Sequence, residues 1–399
     1  MSRSPSEMRL TVVANPGSRR LALFSAAVRR AGLATPEVVA WRDVAAGVPL
    51  RPTPGSLVRL ESPGEDAEVD RLLRGATTEL DHGELAGGRA WYDGFCRAVR
   101  RIADAAADQR ARLLADPAEV ATMFDKAACH ARLSAAGVPV PAALPGSPTN
   151  WADLRERLAG VGWRRVFVKP RHGSSASGVL AVDFGRAGRL AATTSVEWSG
   201  GRMYNSLRVR RYQDEPTIAA TVDRLAPDGL HVERWFPKAG LAGRVLDLRV
   251  VVIAGEPTHV VVRSSRSPMT NLHLGGVRGD LAAVRAAAGD EYDAAMETCR
   301  RVAAAFPGSP HVGVDLMIGS GWRSHAVAEV NAFGDLLPGL LADGRDTYDA
   351  QLSALRAVPP ASRSASSDGR SAPSGARDSG VRDGSGVEAR HGHGSRVAA

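Results

Sequence analysis

Residues 164–184, "RRVFVKPRHGSSASGVLAVDF", decide how the rest of the chain is read. A run of β-type residues leads to Lys169. A loop carrying Gly173, Ser174, Ser175 and Gly178 follows, and then a second β-type run. A P-loop has its lysine after the glycines and opens a helix. Here the lysine comes first and the loop leads into a strand. The stretch therefore reads as two antiparallel strands joined by a flap. Backbone N–H groups of Gly and Ser can form an anion-binding nest. Such a flap can close over β- and γ-phosphates, with Lys169 reaching them from its strand. Taken alone, the stretch fits an ordinary Gly/Ser hairpin with a surface lysine equally well.

Lysine is scarce in this chain. Of 51 Lys+Arg residues, only Lys126, Lys169 and Lys238 are lysines. Arg supplies the general surface charge, so each lysine needs a reason. An ammonium is a compact point charge that the planar guanidinium does not imitate at a tight phosphate site.

Upstream, "MRLTVVA" reads as a strand and "LALFSAAVRRAG" as an amphipathic helix closed by Gly32. "PEVVAW" and "SLVRLES" read as further strands. This is the plan of a small α/β domain with parallel strands. The turn after the first strand lacks GxGxxG, so dinucleotide binding is not supported. Residues 88–136 read as helical, with Pro117 in a first turn and Gly137 as a stop. A short helix is expected over 151–160. Residues 190–230 give no clear pattern.

Downstream, strands return in "LHVERWF", "DLRVVVIAGEPTHVVVRSS", "HVGVDLMIG" and "SHAVAEVNA", with a hairpin turn at Gly-Glu-Pro and a helix over 290–305. From Val358 the chain is rich in Ser, Gly, Arg and Asp with few large apolar residues, the composition of a disordered tail.

The second constellation is "DLMIGSGWRSHAVAEVN". Glu329 and Asn331 are two apart and share a strand face. A hairpin through "GSGW" brings Asp315 to that face. Two carboxylates and an amide are hard oxygen ligands, suited to one or two Mg²⁺ that also hold nucleotide phosphates. The flanking residues are apolar, and acids in buried strands are costly unless paired or metal-bound. The alternative is an edge hairpin with exposed acids. A third constellation follows from Asp247, Arg249, Arg263 and Asn271. Its arginines could hold a carboxylate substrate or stabilise a transferring phosphoryl group, or Arg249 could simply pair with Asp247 on a solvent face. In "LHVERWFPK" an acid precedes aromatics, which fits an adenine-binding edge or plain core packing.

Composition narrows the class. The 399 residues are 44% hydrophobic and 24% charged, which is globular. No apolar run approaches the ~18 residues that span a bilayer, and the start has no apolar signal core. A cytoplasmic protein with no membrane partner is expected. The net charge of +8 is spread as single arginines among acids, without a Lys/Arg run interleaved with aromatics. Nucleic-acid binding is therefore not expected. Cys96, Cys129 and Cys299 show no ligand spacing and read as buried free thiols.

Taken in order, "FDKAACHARLSAAGVPVP", "VFVKPRHGSSASGV", "HVERWF", "LDLRVVVIAG…VVVRSS…TNLHLGG" and "GVDLMI…AVAEVNAFG" resemble the ATP-grasp superfamily. The likeness runs over about residues 115–350. It is to the carboxylate–amine ligase branch, such as ribosomal-protein glutamate ligases and bacterial glutathione synthetases. The resemblance implies an α/β (α+β) fold. A small α/β domain over 1–110 would precede two ATP-grasp lobes with antiparallel sheets and helices. Lobe 1 would span 111–240, with the lysines and flap, and lobe 2 would span 241–357, with the metal and phosphate site. The disordered tail would be 358–399.

The resemblance also implies site residues. Lys126 and Lys169 would hold nucleotide phosphates, with Gly173, Ser174, Ser175 and Gly178 in the flap. Glu233 would open the hinge, with Trp235 and Phe236 beside the adenine. Asp315, Glu329 and Asn331 would hold Mg²⁺, with Mn²⁺ as the alternative. Arg263, Arg249 and Lys169 would act catalytically, and Asn271 would belong to the phosphate site. Where the family has Pro-Gly and then a ribose-binding acid, this chain has "PKAGLAGRVLD", which leaves Asp247 or the backbone for that role.

The implied activity is ATP-dependent amide formation through an acylphosphate, with release of ADP and phosphate. The partners would be a small-molecule or peptide carboxylate and an amine acceptor, with a homodimer as the default assembly. The alternative is a non-catalytic ATP-binding regulatory or scaffold protein on the same fold.

Overall fold

A computed structural model describes residues 8–173, 176–185, 188–334 and 337–357. Ser174 and Ser175 of the flap and the tail expected over 358–399 lie outside the described residues.

The chain begins with a parallel sheet. Its elements are β1 (Leu10–Ala14), α1 (Arg19–Arg30), β2 (Glu37–Ala40), α2 (Trp41–Ala46), β3 (Leu57–Leu60), α3 (Ala67–Arg74), α4 (Gly88–Asp108) and β4 (Arg112–Leu113). The strand order is β2-β1-β3-β4, all parallel. β1 is buried throughout, as a strand covered on both faces requires. Ser18 caps α1 by accepting from Leu21 N at 3.3 Å. The region expected to be helical over 88–136 is broken by β4, a two-residue edge strand.

Next come α5 (Pro117–Met123), α6 (Lys126–Ala135) and α7 (Trp151–Val161). Pro117 lies in the first turn of α5, where its missing N–H costs nothing. Asp125 caps α6 by accepting from Ala127 N and Ala128 N, which fixes Lys126 at the start of the helix. The chain then forms β5 (Arg165–Pro170), β6 (Leu180–Phe184), β7 (Leu190–Ser199), β8 (Arg202–Tyr212), α8 (Glu215–Leu225) and β9 (Leu230–Arg234). These strands make an antiparallel sheet in the order β8-β7-β6-β5-β9. α7 and α8 cover its apolar face, with Trp151, Leu154, Ile218 and Val222 in the core. The segment with no clear sequence pattern is thus a long hairpin and a covering helix.

The last sheet holds β10 (Gly240–Leu241), β11 (Arg244–Ile253), β12 (Glu256–Ser265) and β13 (Val277–Arg278). After α9 (Leu281–Ala288) and α10 (Asp290–Ala305) it adds β14 (His311–Ile318) and β15 (His325–Asn331). The order is β13-β12-β11-β14-β15, antiparallel, with β10 pairing β11. The β11–β12 turn is Ala254-Gly255, both at positive φ, rather than Gly-Glu-Pro. A two-residue turn of this kind matches strand twist. α5, α6 and α10 share one core with this sheet, through Val120, Cys129, Leu133, Cys299 and Val302. Finally α11 (Thr347–Ala357) returns to the first sheet, where Tyr348 and Leu352 pack with Leu10, Val12 and Phe24.

All three cysteines are buried free thiols. Among the described residues, no helix is long and apolar enough to cross a membrane.

Candidate active site

The flap strand delivers the first charges. Residues 165, 167 and 169 share the face of β5 opposite the buried Val166 and Val168. Across the ladder, Lys169 pairs with His231 and Phe167 with Glu233. Lys169 Nζ donates to Glu233 Oε2 at 2.7 Å, and His231 Nε2 lies 3.0 Å from Glu233 Oε1. Burial pushes the Glu233 carboxyl up, but Lys169 and His231 win and hold its pKa at about 2. Trp235 lies on this same face, 4.9 Å from Phe167 and beneath the Arg165 guanidinium at 4.0 Å.

The base of the flap is fastened. Arg171 donates to both oxygens of Asp125, at 2.8 and 2.6 Å, and its carbonyl accepts from Lys126 N at 3.0 Å. The His172 ring stacks on Tyr92 of α4 at 4.0 Å. Lys126 Nζ donates to the Gly173 carbonyl at 2.5 Å and lies 3.1 Å from Glu329 Oε1. Gly178 ends the flap at φ +71°, and a Cβ there would lie 2.8 Å from Pro170 Cγ. That position needs glycine on both counts.

The expected metal-binding residues come together. Arg249, Asp315 and Glu329 stand directly opposite one another on β11, β14 and β15, in one row across the sheet. Asn331 is the next site-facing residue of β15, opposite Gly313, whose carbonyl it contacts at 3.3 Å. A β-bulge makes this row possible. Asp315 pairs with Glu329 but Leu316 pairs with Val327, so Ala328 is the extra residue. The Ala328 carbonyl accepts from Lys169 Nζ at 3.4 Å. Asp315 Oδ1 lies 2.6 Å from Arg249 Nε and 3.2 Å from Arg263 Nη2. Burial raises the Asp315 carboxyl, opposed by Arg249 and Arg263 and reinforced by the nearby Asp247 and Glu329. Burial also works against Glu329, but Lys126 and Lys169 lower it.

Arg249 therefore does not pair with Asp247 on a solvent face. Asp247 is buried and belongs to the next row. Its Oδ1 accepts from Arg263 Nε at 2.7 Å, and its Oδ2 from Lys238 Nζ at 3.2 Å and from Thr270 Oγ1. Lys238 Nζ also donates to Thr270 Oγ1 at 2.9 Å. Both Asp247 oxygens are thereby engaged, so this acid orders Arg263 and Lys238 rather than facing a ribose. Burial pushes Asp247 up, yet Arg263 and Lys238 hold it well below the usual carboxylate range.

Lys126, Glu233 and Glu329 line a single cleft together with Cys129, Val140 and Val327. It encloses about 300 Å³ of empty space, open solvent included. The structure thus unites Lys126, Lys169, Glu233, Asp315, Glu329, Asn331, Arg249 and Arg263. Asn271 stands apart from this group. Its side-chain oxygen accepts from His273 N at 2.9 Å and caps a short turn, and its neighbour Thr270 reaches the site instead. Phe236 packs towards Gly319, 3.5 Å from where a Cβ would stand.

No protein-family model matches the sequence, and no curated protein does. Solved structures do match. One is the crystal structure of the D-cycloserine synthetase DcsG, at 20% identity and TM-score 0.53, covering 87% of this chain and 98% of that one. Another is the ADP complex of purK, N5-carboxyaminoimidazole ribonucleotide synthetase, at 10% identity and TM-score 0.52, covering 90% and 79%. A third is N5-carboxyaminoimidazole synthetase from Staphylococcus aureus complexed with ADP, at 10% identity and TM-score 0.50, covering 89% and 80%. The chain has the ATP-grasp fold.

On this ATP-grasp fold the polar residues divide by element. The five-stranded sheet supplies Lys169 and Glu233, the six-stranded sheet supplies Arg249, Arg263, Asp315, Glu329 and Asn331, and α6 supplies Lys126. Sequence reasoning left Lys238, Thr270 and His231 without a role. The scarcity of lysine was the available signal for Lys238. Thr270 and His231 carried none.

Proposed function

We propose that this chain is an ATP-dependent carboxylate–amine ligase that forms an amide through an acylphosphate and releases ADP and phosphate. One observation carries the reading. Lys126, Glu233 and Glu329 line one cleft on an ATP-grasp fold, with Lys169 paired to Glu233 and with Arg249 and Asp315 in the same row as Glu329. Residues 111–240 and 241–357 are read as its two lobes, behind an N-terminal domain over 1–110.

The donor set fits a hard divalent cation, because two carboxylates and an amide oxygen lie on adjacent strands. Asp315, Glu329 and Asn331 would hold Mg²⁺ or Mn²⁺, which supplies charge neutralisation at phosphate oxygens. The protein's own cations do the rest. Lys126 and Lys169 bind the phosphates of ATP. Arg263, held by Asp247, and Arg249, held by Asp315, face the region where two anions have to meet. A substrate carboxylate oxygen attacks the γ-phosphorus, and the bond to the β,γ-bridging oxygen breaks to leave ADP. An amine then attacks the acyl carbon, phosphate leaves, and the amine gives up a proton. The flap excludes water from the acylphosphate. The substrate carboxylate belongs to a small molecule or a peptide, and the supply of ATP places the reaction in the cytoplasm.

The test is ADP release against pools of amino acids and small carboxylic acids, with mass spectrometry of the products. Release that requires both a carboxylate and an amine, and is lost in Asp315→Ala, is expected. Nucleotide binding without turnover for any pair would favour a scaffold instead. Normal turnover in Asp315→Ala would sink the site.

A further inference from the structure

Glu233 is flanked by two groups that can carry positive charge, and it needs only one. On the site-facing side of the β5–β9 pair, Lys169 stands directly opposite His231, and Glu233 is the next residue of β9 on that face. The Lys169 ammonium holds Glu233 Oε2 at 2.7 Å. His231 Nε2 lies 3.0 Å from the other oxygen, Oε1, at an angle that makes no hydrogen bond. His231 is 4% and Glu233 5% exposed. Native proteins rarely leave a buried ring nitrogen unmade, and this one already stands beside a carboxylate that could take it.

Among the described residues, the ionisable side chains facing His231 are Glu233 on its own strand, Lys169 on β5 and His130 on α6. The His130 ring lies 5.1 Å away, and its Nε2–H donates to the Pro141 carbonyl at 2.7 Å. It brings His231 no negative charge. Burial lowers the His231 pKa below the ordinary histidine value; Glu233 opposes this, and Lys169 and His130 add to it. The imidazole is therefore neutral at neutral pH while Lys169 neutralises Glu233.

Phosphate shifts that balance. In the ligase reading Lys169 reaches for the phosphates of ATP. An ammonium shared between a phosphate and a carboxylate neutralises each of them less, and a buried carboxylate left without a partner is strongly unfavourable. The phosphates also add negative charge on the face that His231 shares with Lys169. Both changes favour the imidazolium. A proton from solvent goes to the ring nitrogen that lacks one, and the Nε2–H of the resulting cation can complete the bond to Glu233 Oε1.

We propose that His231 is a positioning residue that takes up a proton as ATP binds, and so holds Glu233 while Lys169 turns to the phosphates. The proposal rests on the nucleotide site of the ligase reading and is independent of the amide chemistry. The nucleotide complex then binds more protons than the free protein. ATP affinity therefore rises as pH falls, by up to ~10-fold per pH unit between the His231 pKa of the complex and that of the free protein.

The test is titration calorimetry of the full-length protein with MgATP, about one pH unit above the ordinary histidine pKa, in buffers of different ionisation enthalpy. The dependence of the heat on the buffer counts the protons taken up. His231→Gln keeps a neutral donor of similar size, so a role in packing or in neutral hydrogen bonding would survive it. It should take up at least ~0.5 proton fewer per ATP than the unmodified protein and lose the pH dependence of affinity. In the unmodified protein, the NMR titration of the His231 ring should move up by at least ~1 pH unit when MgATP is added. Lys169→Met should move it in the same direction with no nucleotide present. Equal proton uptake by His231→Gln and the unmodified protein overturns the proposal, as does a His231 titration that neither MgATP nor Lys169→Met displaces. If MgATP binds without this uptake, the role of His231 falls and the nucleotide site stands. If MgATP does not bind, the nucleotide site falls and the proposal with it. If uptake is found while no carboxylate–amine pair releases ADP, the ligase reading fails and the role of His231 stands.

Discussion

Lys126 Nζ lies 3.1 Å from Glu329 Oε1, so a cation placed for phosphate and an acid placed for metal form one ion pair between α6 and β15. The same ammonium holds the carbonyl of Gly173 at the start of the flap. Nucleotide with metal would separate the pair, sending each member to a new partner of opposite charge. Lys126→Met removes a charged hydrogen bond worth about 1.5–3 kcal/mol. The dissociation constant for ATP should rise ~10- to ~150-fold, as measured by fluorescent-nucleotide titration. An unchanged constant would remove Lys126 from the nucleotide site.

Lys169→Met tests the second lysine through stability. It leaves the buried Glu233 with His231 as its remaining ion-pair partner among the described residues. Removing one partner of a buried pair costs about 3 kcal/mol or more. The double variant Lys169→Met/Glu233→Gln has no orphaned charge and should recover most of that loss in urea unfolding. Because the folded-state pKa of Glu233 is depressed to about 2, its contribution is present above the ordinary carboxylate range and lost as pH falls towards 2. In Lys169→Met the folded-state pKa moves back up towards the unfolded value, so that acid loss should shrink.

Gly178→Ala should damage the flap rather than the site. A side chain at φ +71° is strained by ~1–2 kcal/mol, and the added Cβ meets Pro170 at 2.8 Å. A flap that closes poorly lets water reach the acylphosphate. More ADP should form per amide product than in the unmodified enzyme. An unaltered ratio would show that the flap does not guard the intermediate.

His311 gives a pH dependence with a definite sign. Burial, then Arg59 and Arg20, lower its pKa well below the ordinary histidine value. The unfolded chain takes up a proton near pH ~6.5, and the folded chain does not. Stability contributed by neutral His311 is thus complete above that pH and lost as pH falls below it. Between about pH 7.5 and about pH 5.5 the protein should lose ~1.4 kcal/mol more than His311→Gln. Urea denaturation at the two pH values measures the difference. Equal losses would place a protonated His311 in the folded state.

Much of this was legible in the sequence because strand periodicity and glycine placement are local signals. "VFVKPRHGSSASGV" declared its flap by the order of lysine and glycines, and "DLMI…AEVN" put its acids on facing strands by alternation alone. Other features depend on contacts made across the fold. The bulge at Ala328, which brings Glu329 opposite Asp315, has no sequence mark such as a glycine. Asn271 attracted attention as an amide in a polar loop, yet side-chain capping consumed it and Thr270 took the inward position. The polar residues Arg20, Arg59, Glu61, His311 and Gln351 draw on β3, α1, β14 and α11, elements far apart in the chain. No local pattern could have assembled them.

α11 gives the chain an unusual order of assembly. Tyr348 and Leu352 complete the core around Leu10, Val12 and Phe24, and Tyr348 forms one wall for Arg59. During synthesis the first sheet leaves the ribosome long before the helix that covers it. Its apolar face must wait, uncovered or chaperoned, until α11 has been made. That sheet is finished only when α11 arrives, and Arg59 gains its Tyr348 wall at the same step.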